Sequence, residues 1–237
     1  DHGLVVRAPN GRLEWPRAQD VCGERAFLNS AVMPRPPLPY SDDAIRWVVW
    51  VAADGCLESP RHVRFHLKKE RKIIALRALL ARRGTRYSET RRRDGTTVFG
   101  CFDPTLPEHF TPGKKHLPRW VQGLNQDQAE VVLRTYVETD GCRNSAARQS
   151  YQIASAKPGE LDILQALFAL NGYRTSRGHH HLTVNPRAET ELTIRGRRSV
   201  EPYRGTVWCV SVPQGTLLTR LNGHTVITQN THRLGIY

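Results

Sequence analysis

The sequence predicts an α+β protein assembled from a duplicated unit, with a strand-rich segment after it. Three observations predict this. A stretch of about 86–88 residues occurs twice, each copy alternates helical with strand periodicity, and the basic residues gather in two separate blocks.

The repeat opens with WVVWVAADGCL (47–57), which returns as LRTYVETDGCR (133–143). HVRFHLKKERKIIALRALLARRGTRY (62–87) returns as SYQIASAKPGELDILQALFALNGYRT (150–175). At a shift of 88, Lys69 meets Lys157, Leu76 meets Leu164, Ala78 meets Ala166, Leu79 meets Leu167 and Gly84 meets Gly172. The opening element shifts by 86, so one copy carries a two-residue insertion or deletion.

Each copy starts with an apolar helix, over 43–54 and 126–140, closed by Asp-Gly. Glycine there suits the left-handed position that follows many helix C-termini. A strand follows (62–67 and 150–154), then an amphipathic helix (70–83 and 159–171) that runs into a glycine. A basic β-hairpin ends each copy. In the first copy it spans 86–102, with a two-residue Asp94-Gly95 turn between alternating flanks; in the second it spans 180–196, with Asn185-Pro186 at the turn. PRPPLPY (34–40) is a Pro-rich linker ahead of the first copy, and 203–232 is strand-rich with an Asn222-Gly223 hairpin turn. Two such units imply pseudo-two-fold symmetry, which matches a roughly palindromic duplex.

Composition limits the function. With 39% hydrophobic and 24% charged residues in 237, the chain can bury a core and is not disordered. There is no run of eighteen apolar residues and no signal-peptide core at DHGLVVRAPN, so no membrane partner is expected. The five cysteines (22, 56, 101, 142 and 209) are odd in number, widely spaced and without a CxxC pair, which predicts reduced thiols in the cytoplasm rather than disulfides or a zinc site. The net charge of +13 is uneven: residues 61–100 hold 13 basic and 3 acidic residues, and 171–204 hold 7 and 3. Only six of the 35 cations are lysine. Arginine forks onto phosphate, so the two blocks read as a nucleic-acid footprint: Arg82, Arg83, Arg86, Arg91, Arg92 and Arg93 in the first, and Arg174, Arg177, Arg195, Arg197 and Arg198 in the second.

Asp54 and Asp140 are the candidate chemical centre. A carboxylate at a helix C-terminus faces the negative end of the dipole. Two at matched positions gain a reason if the helices pair at the pseudo-two-fold axis, where divalent cations relieve their repulsion. Hard oxygen ligands suit Mg²⁺, and a two-carboxylate metal site flanked by basic hairpins is suited to cutting a phosphodiester. Lys69 and Lys157, at equivalent positions, are candidates for a catalytic role, although each also simply opens its helix. Lys114 and Lys115 lie in the connector TPGKKHLPRW. Of His179, His180 and His181, alternation puts the first and third on one face, where lining a groove is the expected role. Cys56 and Cys142 are read as packing residues.

WVVWVAADG (47–55) and LRTYVETDG (133–141), with the units that follow them, resemble the paired motifs of two-motif LAGLIDADG homing endonucleases over roughly 41–198. The resemblance implies two pseudo-symmetric αββαββ-type subdomains forming a DNA-binding saddle, with the motif helices at their interface. Ala53 and Thr139 would allow close packing there, Asp54 and Asp140 would bind two or more Mg²⁺ ions, and the hairpins would lie in the major groove. It also implies a monomer that cuts both strands of a long, asymmetric double-stranded DNA site and leaves short 3′ overhangs.

The ends carry a second resemblance. VWCVSVP (207–213) and TVITQN (225–230) look like the last two blocks of an intein, and DHGLVV (1–6) looks like its histidine block. By that resemblance His2 activates the first splice junction, Asn230 cyclises, Thr231 is the first host residue, Cys209 stands where the family often has Asp, and Gln229 replaces the usual penultimate His. The implied organisation is a partial all-β Hint-type splicing domain from 1–33 and 201–230, a linker at 34–42, subdomains at 43–118 and 119–200, and a host remnant at 231–237. The intein's opening segment, with its nucleophile, is missing from this pattern, so that either the chain is a fragment or the first segment is a separate chain, and a bacterial or phage origin is expected. Two other functions fit the same pattern: a LAGLIDADG-fold DNA-binding regulator or RNA maturase that no longer cuts, and a splicing-only intein with an inactive insert.

Overall fold

The computed structural model describes residues 3–8, 10–17, 20, 26–111, 115–143, 150–186, 191–193, 204–206, 210, 212, 213 and 215–229. Three short strands come first: β1 (Val6–Arg7), β2 (Leu13–Glu14) and β3 (Ala26–Leu28).

The first repeat unit begins at α1 (Asp42–Asp54). Ser41 caps it, its hydroxyl accepting from the Ala44 amide, and Asp42 and Asp43 complement the positive end of the dipole. Its remaining turns are apolar nearly all round, and Ile45 and every residue from Trp47 to Ala52 are buried, as suits a helix enclosed by the fold. Trp47 and Trp50 turn toward Phe65 of the sheet, with ring centroids 5.8 and 6.3 Å away. The strands β4 (Gly55–Ser59) and β5 (His62–Leu67) follow, then α2 (Glu70–Arg83), β6 (Arg86–Arg91) and β7 (Thr97–Phe102). They form an antiparallel sheet in the order β4-β5-β7-β6.

A short helix α3 (Leu106–His109) and a 3₁₀ turn at Arg119–Gly123 lead to the second unit. It comprises α4 (Gln126–Glu138), β8 (Gly141–Arg143), β9 (Tyr151–Ala154), α5 (Pro158–Ala169), β10 (Arg174–Arg177) and β11 (His181–Asn185). Asn125 caps α4 through the Gln128 amide. Its sheet repeats the first order as β8-β9-β11-β10. α1 packs directly on α4, and one cluster of buried side chains runs through both units. The two amphipathic helices end alike, in Gly84 at φ 61° and Gly172 at φ 83°.

Four expectations change. The second hairpin is β10–β11, turning at residues 178–180, and Asn185-Pro186 lies at the end of β11, where proline has no N–H to continue a ladder. The strand β12 (Glu191–Thr193), expected in that hairpin, instead pairs with β3. The first hairpin turns through five residues rather than two: Arg92 and Thr96 close the loop, Gly95 sits at φ 80°, and Asp94 accepts from the amide and hydroxyl of Thr96. Gly55 is extended, at φ −73°, not left-handed. Glycine is needed there because a Cβ would lie 2.6 Å from the Val51 carbonyl oxygen, just as one at Gly141 would lie 2.8 Å from that of Tyr136.

The ends of the described chain meet. β13 (Thr216–Leu221) and β14 (His224–Gln229) form a hairpin with a two-residue turn, Asn222 at φ 49° and Gly223 at φ 79°. β14 adds to the second unit's sheet through Ser176–His224, and it also reaches the N-terminal segment: the Gln229 amide donates to Gly3, the Val5 amide to Ile227, and the Thr225 hydroxyl to Asn29. The segment read as a linker is tied down as well. The Gln128 amide group bonds the backbone of Leu38 and Tyr40, and Tyr40 stacks on Trp120 at 4.1 Å. No described helix is long and apolar enough to cross a membrane.

Candidate active site at the helix seam

The C-terminal ends of α1 and α4 carry Asp54 and Asp140 to one place. The Lys72 ammonium, from the first turn of α2, lies 2.9 and 2.8 Å from the two Asp54 carboxylate oxygens and 3.5 Å from Asp140 Oδ1. Oxygens sharing one nitrogen at these distances lie well inside the about 8 Å beyond which ions spaced 3.5–4 Å apart could not bridge them. The Lys72 and Asp54 side chains are 11% and 17% exposed, and Asp140 is 40% exposed.

Other cations close the helix ends, where backbone carbonyls lack intrahelical partners. Lys115 donates to Ala53 O, Lys157 to Ala52 O and Lys115 O, and Arg71 to Glu138 O. Two of these bonds cross between the units: Arg71 of the first reaches α4, and Lys157 of the second reaches α1. Burial holds the Lys157 ammonium below the usual lysine range, with neighbouring Glu160 opposing the shift. Glu160 is buried and accepts from the Tyr136 and Ser155 hydroxyls. Burial first, and then Glu160, raise the Tyr136 hydroxyl well above its usual range, so it stays a donor. These side chains border a cleft of about 620 Å³ lined by Lys115, Tyr136, Asp140, Ser155, Lys157 and His180.

Magnesium takes one or two carboxylates and leaves its other positions to water and phosphate. Asp54 and Asp140 offer that donor set, and the ammonium seated between them shows that the position accepts a cation. The residues fit the ion. Among the described residues no third His, Cys, Asp or Glu joins them.

The candidate residues separate into groups. Asp54 and Asp140 are together, and Lys157 is beside them. Lys69 is exposed at the N-cap of α2 and touches neither carboxylate in any described bond. Lys72, which belongs to no motif of the sequence, holds the central place; its only sequence signal is that it lies one helical turn after Lys69.

The arginines divide too. Strand alternation buries Val63, Phe65, Leu67, Phe99 and Cys101 under the helices and leaves the other sheet face open. Arg86 pairs across from Phe102, and Arg64, which also bridges Glu58 at 2.7 Å, from Gly100, on that open face. Arg174, the repeat partner of Arg86, takes the same place opposite Asn185. Arg91, Arg92 and Arg93 are exposed at the hairpin tip. Arg82, Arg83 and Arg177, expected to contact nucleic acid, are engaged within the protein. Arg82 bonds Asp43 through three contacts, and Arg177 pairs with Asp162 at 3.2 Å. Arg83, 17% exposed, bonds buried Asp103 at 3.0 Å and lies 5.2 Å from the Trp47 ring. Arg195, Arg197, Arg198, Lys114, His2, Cys209, Asn230 and Thr231 lie outside the described residues.

No family model matches the chain. It is 26% identical over 210 residues to ribonucleoside-diphosphate reductase subunit beta of Aquifex aeolicus (strain VF5), a match covering 78% of this chain and 30% of that protein. The chain thus spans about a third of its curated relative. Among solved structures, full-length DUF199/WhiA from Thermatoga maritima has a TM-score of 0.44 at 13% identity, over 65% of this chain and 54% of that one. Mesophilic variants of the homing endonuclease I-DmoI give 0.43 at 12%, over 62% and 89%. I-DmoI in complex with DNA and Ca gives 0.42 at 12%, over 62% and 84%.

Proposed function

We propose that this chain is a LAGLIDADG-type, site-specific double-stranded DNA endonuclease carried within an intein. The observation that carries the reading is the meeting of Asp54 and Asp140 on a single cation at the seam of two repeated units. Asp54 and Asp140 would be the carboxylates that hold a metal ion. A divalent cation held by these two carboxylates would supply water activation and counter-charge for phosphodiester cleavage. Lys157 and Lys115, bordering the cleft beside Asp140, face the phosphate and balance its charge. The open sheet faces, with Arg86 and Arg174, lie along the duplex, and the Arg91–Arg93 tip reaches into a groove. Both halves come from one chain, so it acts as a monomer.

The intein setting is supported by the way the ends meet. Gly3, which follows His2, and Gln229, which precedes Asn230, share a hydrogen bond of 2.8 Å. A splicing domain built from both ends requires such a meeting, with His2, Cys209, Asn230 and Thr231 as its chemical residues. A mobile element read within a host gene also accounts for a likeness confined to 30% of a protein named as a reductase subunit.

One observation favours a second reading. Lys72 already neutralises Asp54, as it would in a DNA- or RNA-binding protein of this shape that does not cut. Cleavage of a plasmid carrying the uninterrupted host gene separates the two. With Mg²⁺, a double-strand cut near the insertion point is expected, and it is lost in EDTA, in Asp54→Asn and in Asp140→Asn. A salt-sensitive gel shift without any cut would establish the binder instead.

A further inference from the structure

We propose that the two halves of this centre load metal unequally: Lys72 is a built-in counterion that keeps a divalent cation off Asp54, and Asp140 takes the first one. This rests on the metal-site reading above. Lys72 engages both Asp54 oxygens at 2.8–2.9 Å but only one Asp140 oxygen, at 3.5 Å. Asp140 is also the more open of the two and borders the cleft.

The asymmetry is written in the repeat. At the shift of 88 that aligns Lys69 with Lys157, Lys72 aligns with Glu160. The second unit therefore has a carboxylate where the first has an ammonium. Glu160 turns to the Tyr136 and Ser155 hydroxyls. Lys157 directs its ammonium to two backbone carbonyls, so no described lysine of the second unit bonds Asp140. A cation approaching Asp54 must displace a bonded, nearly buried like charge. A cation approaching Asp140 must break one long contact. Like-charge repulsion across a few ångströms in a partly desolvated site is worth at least a tenfold change in affinity, on the order of 1.4 kcal/mol. Lys72 is in this sense a positioning residue. It acts on metal loading and need not touch the nucleic acid.

The test is Mn²⁺ binding to the whole chain without DNA, followed by the EPR signal of the free ion. The parent chain is expected to bind one equivalent tightly. Asp140→Asn abolishes that equivalent, and Asp54→Asn leaves it within about threefold. Lys72→Met, nearly isosteric in a buried position, is expected to add a second equivalent about tenfold tighter than any second site of the parent, and Asp54→Asn on that background removes it. The comparison of the two aspartate variants stands even if Lys72→Met fails to fold. Equal losses in the two, or loss in Asp54→Asn alone, overturn the proposal and leave the metal-site reading intact. No Mn²⁺ binding by any of the chains overturns both.

Discussion

The two repeat units share a backbone plan and differ in how charge and edges are arranged on it. Both sheets run in the same order, both motif helices close on a glycine pressed against helix backbone, and both second helices end in a left-handed glycine. Yet the first unit buries an ammonium beside its aspartate where the second buries a carboxylate beside two hydroxyls. The first unit's edge strand β6 is exposed along its whole length, RYSETR, and its charges discourage further pairing. The second unit's edge strand β10 is covered by β14 from the far end of the chain. The duplicated features are those that backbone geometry demands. The divergent ones are side-chain electrostatics and edge protection, which each copy can vary without losing the fold.

The largest effect expected is on the core the two units share. Phe65 is fully buried in the first unit, and Phe65→Ala is expected to cost about 4 kcal/mol. Because one cluster spans both units, urea unfolding should remain a single transition with a lowered midpoint. Two separated transitions would show that the halves fold independently and would break the comparison. Next come the matched glycines. Gly55→Ala and Gly141→Ala each force a Cβ against a carbonyl oxygen, and each should cost about 3 kcal/mol in urea unfolding. A large cost in one unit alone would mean that the helix ends are not equivalent.

Neighbouring arginines test how charge is used within one unit. Arg83→Met leaves Asp103, 5% exposed, without its ion-pair partner and is expected to lower stability by about 2 kcal/mol. Arg82→Ala removes a surface pair with Asp43 and is expected to cost about 0.5 kcal/mol or less. The smallest effect is on nucleic-acid binding. If the chain binds DNA as proposed, Arg86→Ala and Arg174→Ala, at equivalent open-face positions, should each lower the salt slope of that affinity by about one unit while leaving melting unchanged. Unequal slopes would show that the duplex lies across the two halves asymmetrically.

Much of this arrangement is legible before any coordinates. The repeat, the glycine-ended amphipathic helices and the Asn222-Gly223 turn all rest on local rules, whether helical periodicity, the tolerance of glycine for positive φ or the preference of Asn-Gly for a tight hairpin, whereas the glycines of the Asp-Gly pairs answer to a close approach of backbone. The second hairpin lies at 174–185 rather than at 180–196: Asn185-Pro186 resembles a turn locally, whereas the shift of 88 carries 86–102 onto 174–190. Lys72 was hidden because one lysine in a block of 13 basic residues carries no mark of its partner. For the same reason a charge run cannot tell Arg83, folded over Trp47 and onto Asp103, from Arg86, which faces outward. Pairings between segments far apart in sequence, such as β3 with β12 and β10 with β14, join stretches that leave only weak signals in their own residues.

By itself the sequence determined that the chain is doubled, that each copy follows an apolar helix with an Asp-Gly pair, and that arginine dominates two blocks. These follow from residue type and spacing along one chain. Only the tertiary structure decided which cation sits between the aspartates, which arginines are engaged within the protein and which sheet edge the chain's own end covers. Each of these depends on distances between residues far apart in sequence, where Coulomb energy and desolvation are set by what packs nearby.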